Sequence, residues 1–301
     1  MPIFKIDNHK FILIKEIDIK LEKELQTVTE NNLKLIFGFD FVSSEFALHG
    51  FRIDTLAFSP ETKSFVIIEY KRDKSFSVVD QGYAYLSLML NNKADFILEY
   101  NEKNNNSLRK DQVDWTQSRV IFLAQSFTTY QQNAINFRDL PIELWEVSKY
   151  DNNTFLYNQL KSPNSNESIN TVSKNKTIEN VSKEVKVYTF DDYKLRADKE
   201  GLELLIKLRE QILNISDDIK EGFTPEYIKY FVNTTFVVVH IRKKWLIIEL
   251  RVNEDNFNDP KGLAKDISNR NWTTTREMKI DSIDSINYAV GLIEQAYQTQ
   301  K

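Results

Sequence analysis

The chain has 301 residues, 41% hydrophobic and 28% charged, with a formal net charge of −4. That length allows two ordinary domains, each able to bury a core, while the absence of cysteine excludes disulfides, thiolate metal sites and thiol nucleophiles. Only three histidines, His9, His49 and His240, lie far apart and argue against a histidine-built zinc centre or triad, and 40 basic against 44 acidic residues exclude attachment to nucleic acid by bulk charge alone.

In chain order, the N-terminal MPIFKIDNHKFILIK alternates apolar with charged residues instead of forming a signal peptide's apolar block. No apolar run approaches the roughly 18 residues needed to cross a bilayer, so the expectation is a cytoplasmic protein without membrane partners. PIFKI and KFILIKEI read as a hairpin. From Lys20 to Phe37, helical spacing sets Leu21, Leu25, Val28, Leu35 and Ile36 near one face, with Gly38 as the stop. FRIDTLAF (51–58), a turn with Pro60, and SFVIIEYK (64–71) read as adjacent strands. A helix follows from about Val78, then strands at ADFILEY (94–100), SRVIFLA (118–124) and PIELWEV (141–147), with a surface loop over Asn101–Gln112.

These elements predict an α/β fold, a mixed sheet flanked by helices. Between Lys161 and Lys186, Ser, Asn, Lys and Thr dominate without any aromatic, which reads as an exposed linker. The second half holds a periodic helix (199–215), a hairpin with Arg242, Lys243 and Lys244 at its tip, and a terminal helix (282–298), together a smaller α+β domain. The expected division is therefore 1–160, a linker over 161–189, and 190–301. The tip cations fit a phosphate backbone or, more simply, a solvated turn.

The chemistry concentrates between Asp54 and Tyr85. Strand side chains alternate, so Glu69 and Lys71 share one face of their strand, as Asp54 does with Arg52 on the preceding one. If these strands pair, two carboxylates and an ammonium meet at one end of the sheet. Such a site suits a hard divalent cation, Mg²⁺ with Mn²⁺ able to substitute, held by Asp54, Glu69 and the Tyr70 carbonyl. Lys71 would orient or help deprotonate water and offset transition-state charge. Glu24 flanks the apolar face of the first helix and is the candidate for the outer shell of the metal, whereas Glu30 falls on the opposite face. The bare acid-any-Lys pattern occurs eight times in the chain; Glu69 is singled out because it ends the apolar run FVII, where an unpartnered carboxylate is costly. A salt bridge to Lys71 or Arg72 would meet that need equally well.

Asp54, the strand with Glu69-Tyr70-Lys71, and Gln81-Gly-Tyr-Ala-Tyr85 together resemble the PD-(D/E)XK nuclease superfamily, in particular its RecB-like and NucS-like branches. EKELQTVTENNLKLIFG resembles the first helix of such nucleases. The resemblance covers about Ile3 to Val147, with the motifs confined to some sixty residues. It implies a restriction-endonuclease-like domain with Asp54 and Glu69 as metal ligands, Lys71 as the catalytic lysine, Glu24 as the supporting helix acid, and Gln81 and Tyr85 positioning the site or the nucleic acid. RecB-like members often carry glycine three residues before the aspartate, where this chain has Phe51. The C-terminal half is similar in outline to small α+β domains of YjbR/MmcQ-like type.

Arg52, Arg72 and Lys74 extend the basic side of the cleft and are candidates to hold phosphates; Phe76, Tyr83 and Tyr85 are candidates to stack on bases. The expected function is Mg²⁺-dependent phosphodiester hydrolysis, with DNA as the substrate. The alternatives are a non-cleaving nucleic-acid-binding or regulatory protein on the same fold, and an assembly subunit whose carboxylate–lysine cluster is structural. A homodimer is compatible with the sequence, since two protomers with one site each would be needed for a double-strand cut.

Overall fold

The computed structural model describes residues 2–72, 77–160, 167–173, 175–270 and 273–300. The chain forms two compact units, Met1–Val187 and Tyr188–Lys301.

The first unit begins with strands β1 (Ile3–Asp7), β2 (Lys10–Ile14) and β3 (Glu16–Ile17), followed by helices α1 (Glu22–Glu30) and α2 (Leu33–Phe37). Next come β4 (Asp40–Leu48), β5 (Phe51–Ser59), β6 (Ser64–Lys71), α3 (Val78–Asn91) and α4 (Lys93–Asn104). The unit continues with β7 (Arg119–Ala124), α5 (Thr129–Ala134), β8 (Ile142–Tyr150) and β9 (Phe155–Gln159), and ends with α6 (Ile169–Val172) and α7 (Lys176–Glu184). Among the described residues, β1 and β2 form a separate hairpin, and a seven-stranded sheet runs β3-β8-β7-β6-β5-β4 with β9 on β8. Strands β4, β5 and β6 pair antiparallel, whereas β6, β7 and β8 are parallel. The sheet is thus mixed, as expected.

Strand β6 lies at the junction and is buried along all of SFVIIEY. Side chains of Phe65 and Ile67 enter a core shared with Leu86, Met89 and Phe122, while Val66, Ile68 and Tyr70 enter a second core with Leu25 and Leu33. A strand covered on both faces needs an unbroken apolar run, which is how this segment reads.

Three expectations need correction, and two strands were missed. ADFILEY is helix α4: Phe96 and Tyr100 are buried while Leu98 is 56% exposed, and a strand would have put all three on one face. The single helix over 20–37 is broken at Asn31 and Asn32 into α1 and α2, leaving Leu21 and Leu35 exposed; Gly38 closes it at φ 74°. The strands β4 and β9 were not legible in the pattern. Finally, the supposed linker 161–189 carries α6 and α7 among its described residues, and Ile169, Ile178, Val181 and Val185 are buried in the core of the first unit. Four branched aliphatics suffice to dock a polar segment, so the unit boundary falls at Val187, not at 160.

The second unit contains α8 (Phe190–Lys194), α9 (Lys199–Leu213), β10 (Lys220–Phe223), β11 (Ile228–Phe231), β12 (Thr235–Ile241), β13 (Leu246–Leu250), β14 (Lys265–Asp266), β15 (Arg276–Ile280) and α10 (Ile283–Gln298). Its antiparallel sheet runs β10-β11-β12-β13-β15-β14. Leu204, Leu208 and Ile212 of α9 and Ile286 and Ile293 of α10 share its core with Val237, Val239 and Ile248. At the β12–β13 tip the Lys243 carbonyl accepts the Asp198 N–H at 2.9 Å and Lys244 lies 3.7 Å from Glu200, so the tip belongs to the packing of the start of α9. No helix among the described residues is long and apolar enough to cross a membrane.

Candidate active site

The site lies where β5 and β6 part. Their ladder pairs Leu56 with Ile67 and ends at Thr55 with Ile68, and Asp54 and Glu69 are the next residues of the two strands. Beyond the ladder the Asp54 carboxylate takes a backbone donor of β6: Oδ2 accepts the Tyr70 N–H at 3.0 Å. That bond fixes the aspartate against β6. On the other side, α1 holds the β5 backbone at the same point, Gln26 Nε2 donating to the Asp54 carbonyl at 2.8 Å and the Thr55 hydroxyl donating to Glu30 Oε1 at 2.6 Å.

Glu69 is 4% exposed. Its Oε1 accepts three donors: Lys71 Nζ at 2.9 Å, the Tyr85 hydroxyl at 3.1 Å and Gln81 Nε2 at 3.2 Å. Gln81 and Tyr85, four apart on α3, present one face to the sheet, and Tyr85 also reaches the Arg52 carbonyl at 3.3 Å. The other oxygen, Oε2, is buried with no hydrogen-bond partner among the described residues. Burial, then the Asp54 charge, pushes the Glu69 carboxyl above its ordinary range, against the pull of Lys71 and Tyr85. Asp54 is also raised, chiefly by burial and further by Glu45 and Glu22, with the Tyr70 N–H and Lys71 opposing. Two desolvated carboxylates that repel each other, one with an idle buried oxygen, form a site short of positive charge.

These groups fit a hard divalent cation of Mg²⁺ type, which takes oxygen ligands and retains several waters. No three His, Cys, Asp or Glu side chains among the described residues converge to hold a metal by themselves, so Asp54 and Glu69 would be the protein's carboxylate contribution.

The structure brings together Asp54, Glu69, Tyr70, Lys71, Gln81 and Tyr85. It does not bring Glu24, which pairs with Lys149 on β8, two strands away from β6. Glu22 approaches instead: its Oε1 accepts the Arg72 N–H at 2.6 Å, and it contributes to the raised Asp54 carboxyl. Two residues along a helix turn by about 200°, so the choice between these acids depends on the helix phase, which the expected longer helix blurred. Glu45 was also missed. It sits in β4 at φ 57°, forms an ion pair with Arg52 Nε at 2.9 Å and lies 3.3 Å from Lys23. Arg52 is therefore tied to Glu45, and Arg72 Nη1 to the Lys20 carbonyl at 3.2 Å, although both remain exposed. Lys74 and Phe76 lie outside the described residues. Tyr83 and Tyr85 are buried, 1% and 5% exposed, so neither offers a ring face to a base; Tyr85 acts through its hydroxyl.

A protein of Haemophilus influenzae described as uncharacterized is 42% identical over 301 residues, covering 98% of this chain and 99% of its own length. Residues 191–300 match a family described as a domain of unknown function, DUF5655. Among solved structures, a repair endonuclease from Pyrococcus abyssi aligns at 17% identity over 38% of this chain and 42% of its own, with a TM-score of 0.22. An EndoMS–dsDNA complex aligns at 16% identity over 39% and 43%, with a TM-score of 0.21. Each alignment spans less than half of the solved chain.

Proposed function

We propose, for a chain that belongs to the same family as the Haemophilus influenzae protein, a metal-dependent nuclease activity: hydrolysis of a phosphodiester, in DNA, at the Asp54–Glu69–Lys71 cluster. The observation that carries this reading is the buried, unpartnered Glu69 Oε2 beside a second desolvated carboxylate. Burying a carboxylate oxygen without a donor is unfavourable, and a bound cation would relieve that cost.

Bound Mg²⁺, or Mn²⁺ in its place, would supply the positive charge that activates water and offsets charge on the phosphoryl group. Asp54 and Glu69 would hold it, with the Tyr70 carbonyl as a further oxygen. Tyr85 and Gln81 fix the Glu69 orientation through Oε1, so that Oε2 faces one direction. Lys71 lies against the same Oε1, where it can hold a water or a phosphate oxygen and balance growing negative charge. Arg72 and Arg52, both exposed, supply cations for flanking phosphates.

Asp54→Ala, Glu69→Ala and Lys71→Ala test the reading on labelled DNA, single- and double-stranded, with and without Mg²⁺. Each is expected to remain folded and lose about 100-fold or more of metal-dependent cleavage. Undiminished digestion by all three would overturn the assignment. Retardation of DNA without shortening, under Mg²⁺ or Mn²⁺, would instead identify a binding protein on this fold.

A further inference from the structure

The β1–β2 hairpin has no buried residue; every side chain in both strands is exposed or half-exposed. Its register pairs Phe4 with Leu13 and Ile6 with Phe11, so these four share one face, while Lys5, Asp7 and Lys10 lie on the other with Ile3, Ile12 and Ile14. The four-residue face is wholly apolar. Phe4 is 48% exposed, Ile6 71%, Phe11 75% and Leu13 48%, and the two phenyl rings touch across the hairpin at 5.6 Å between centroids. Asn8 and His9, at φ 47° and 63°, form the tight turn that fixes this register.

An amphipathic hairpin ordinarily turns its apolar face inward. This one leaves it bare, and an isolated two-stranded sheet is marginal in water. The exposed apolar surface amounts to roughly 500 Å², the scale at which a patch signals an interface.

We propose that the Phe4/Ile6/Phe11/Leu13 face is a self-association surface that packs against the same face of a second copy of the chain. Face-to-face apposition would remove on the order of 1,000 Å² from water, where specific interfaces begin. An uncharged face with two adjoining aromatic rings is complementary to itself about a two-fold axis. A nucleic-acid strand would need cations on this face, and both lysines of the hairpin lie on the opposite one. The inference is independent of the carboxylate site, although a dimer would supply one site for each strand of a duplex.

Sedimentation of the full chain over a concentration range tests this. Wild type and Lys5→Glu, altered on the opposite face, are expected to be dimers, and the double variant Ile6→Asp/Phe11→Asp a monomer with an unchanged circular dichroism spectrum. Because the chain has no cysteine, single Ile6→Cys and Phe11→Cys variants add a second measurement: mild oxidation is expected to link at least one of them into dimers and to leave Lys5→Cys monomeric under denaturing electrophoresis. A wild type that stays monomeric at every concentration, a dimer indifferent to Ile6→Asp/Phe11→Asp, or cross-linking through Lys5→Cys alone would each overturn the proposal.

Discussion

The Tyr85 hydroxyl and Glu69 Oε1 are 3.1 Å apart, joining helix α3 to the carboxylate at the end of β6. Tyr85 favours the ionised form of Glu69, whose carboxyl is already raised by burial and by Asp54. Tyr85→Phe removes this donor without opening a cavity. The Glu69 carboxyl should then rise further, so the acid limb of the cleavage–pH profile should move to higher pH, with activity near neutrality about tenfold lower. Profiles of both proteins under saturating Mg²⁺ check it; a superimposable acid limb would leave the tyrosine without a part in setting the glutamate.

The contribution of Asp54 and Glu69 to the metal-free stability of the first unit should fall as pH rises. Asp54 and Glu69 hold protons more tightly in the folded chain than in the unfolded one, both carboxyls being raised. Their contribution is therefore fully present below the ordinary carboxylate range and is lost as pH climbs through the folded values. Asp54→Asn keeps an oxygen for the Tyr70 N–H and removes one charge. In chelator at neutral pH its first unit should melt about 2–4 °C above wild type, the effect of about 1 kcal/mol in a domain of this size. Added Mg²⁺ should raise the wild-type midpoint and leave the variant's unchanged. Calorimetry showing the variant less stable than wild type in chelator would contradict the sign.

Glu22 and Glu24 separate in the same way. Glu24→Gln breaks only the pair with Lys149, a partly exposed bridge worth about 0–1 kcal/mol, and should leave cleavage within about twofold of wild type. Glu22→Gln weakens the bond to the Arg72 N–H that ties the chain leaving β6 to α1, and should lower cleavage about tenfold by loosening Lys71 and its neighbours. Turnover of both variants on one DNA substrate decides it, and the reverse order would restore Glu24 to the site.

That Glu69 and Lys71 share a face of their strand was legible because strand alternation is a short-range rule, whereas Gln81 and Tyr85 entered through the family resemblance, and their reach to Glu69 depends on how α3 lies on the sheet. The pairing of β5 with β6 was legible too, the two runs being separated by only a turn. Glu22 was not, since its role depends on where α1 begins and on the break at Asn31 and Asn32. Nor was α4: ADFILEY contains both periods, and only the burial of Phe96 and Tyr100 against β4–β6 chooses the helix. The docking of α7 rests on Ile178 and Val181 meeting α3, a long-range contact hidden in a polar segment.

Gly82, between Gln81 and Tyr83 on α3, gives the strictest test of how the helix positions the site. A Cβ there would fall 2.4 Å from Ile142 Cδ1 and 2.8 Å from Cγ1, so with Ile142 in its present rotamer only glycine lets α3 lie this close to β8. Gly82→Ala must push the helix or the isoleucine aside at about 1–3 kcal/mol, and a helix displaced by a few tenths of an ångström carries Gln81 and Tyr85 away from Glu69. Loss of cleavage should therefore exceed what partial unfolding explains at the assay temperature. Ile142→Ala alone costs about 2–5 kcal/mol by opening a cavity, yet in the double variant each change makes room for the other. The two should couple by at least about 0.5 kcal/mol in the stabilising sense, with cleavage recovering alongside. Additive destabilisation in a double-mutant cycle would mean that α3 does not bear on β8 through this contact.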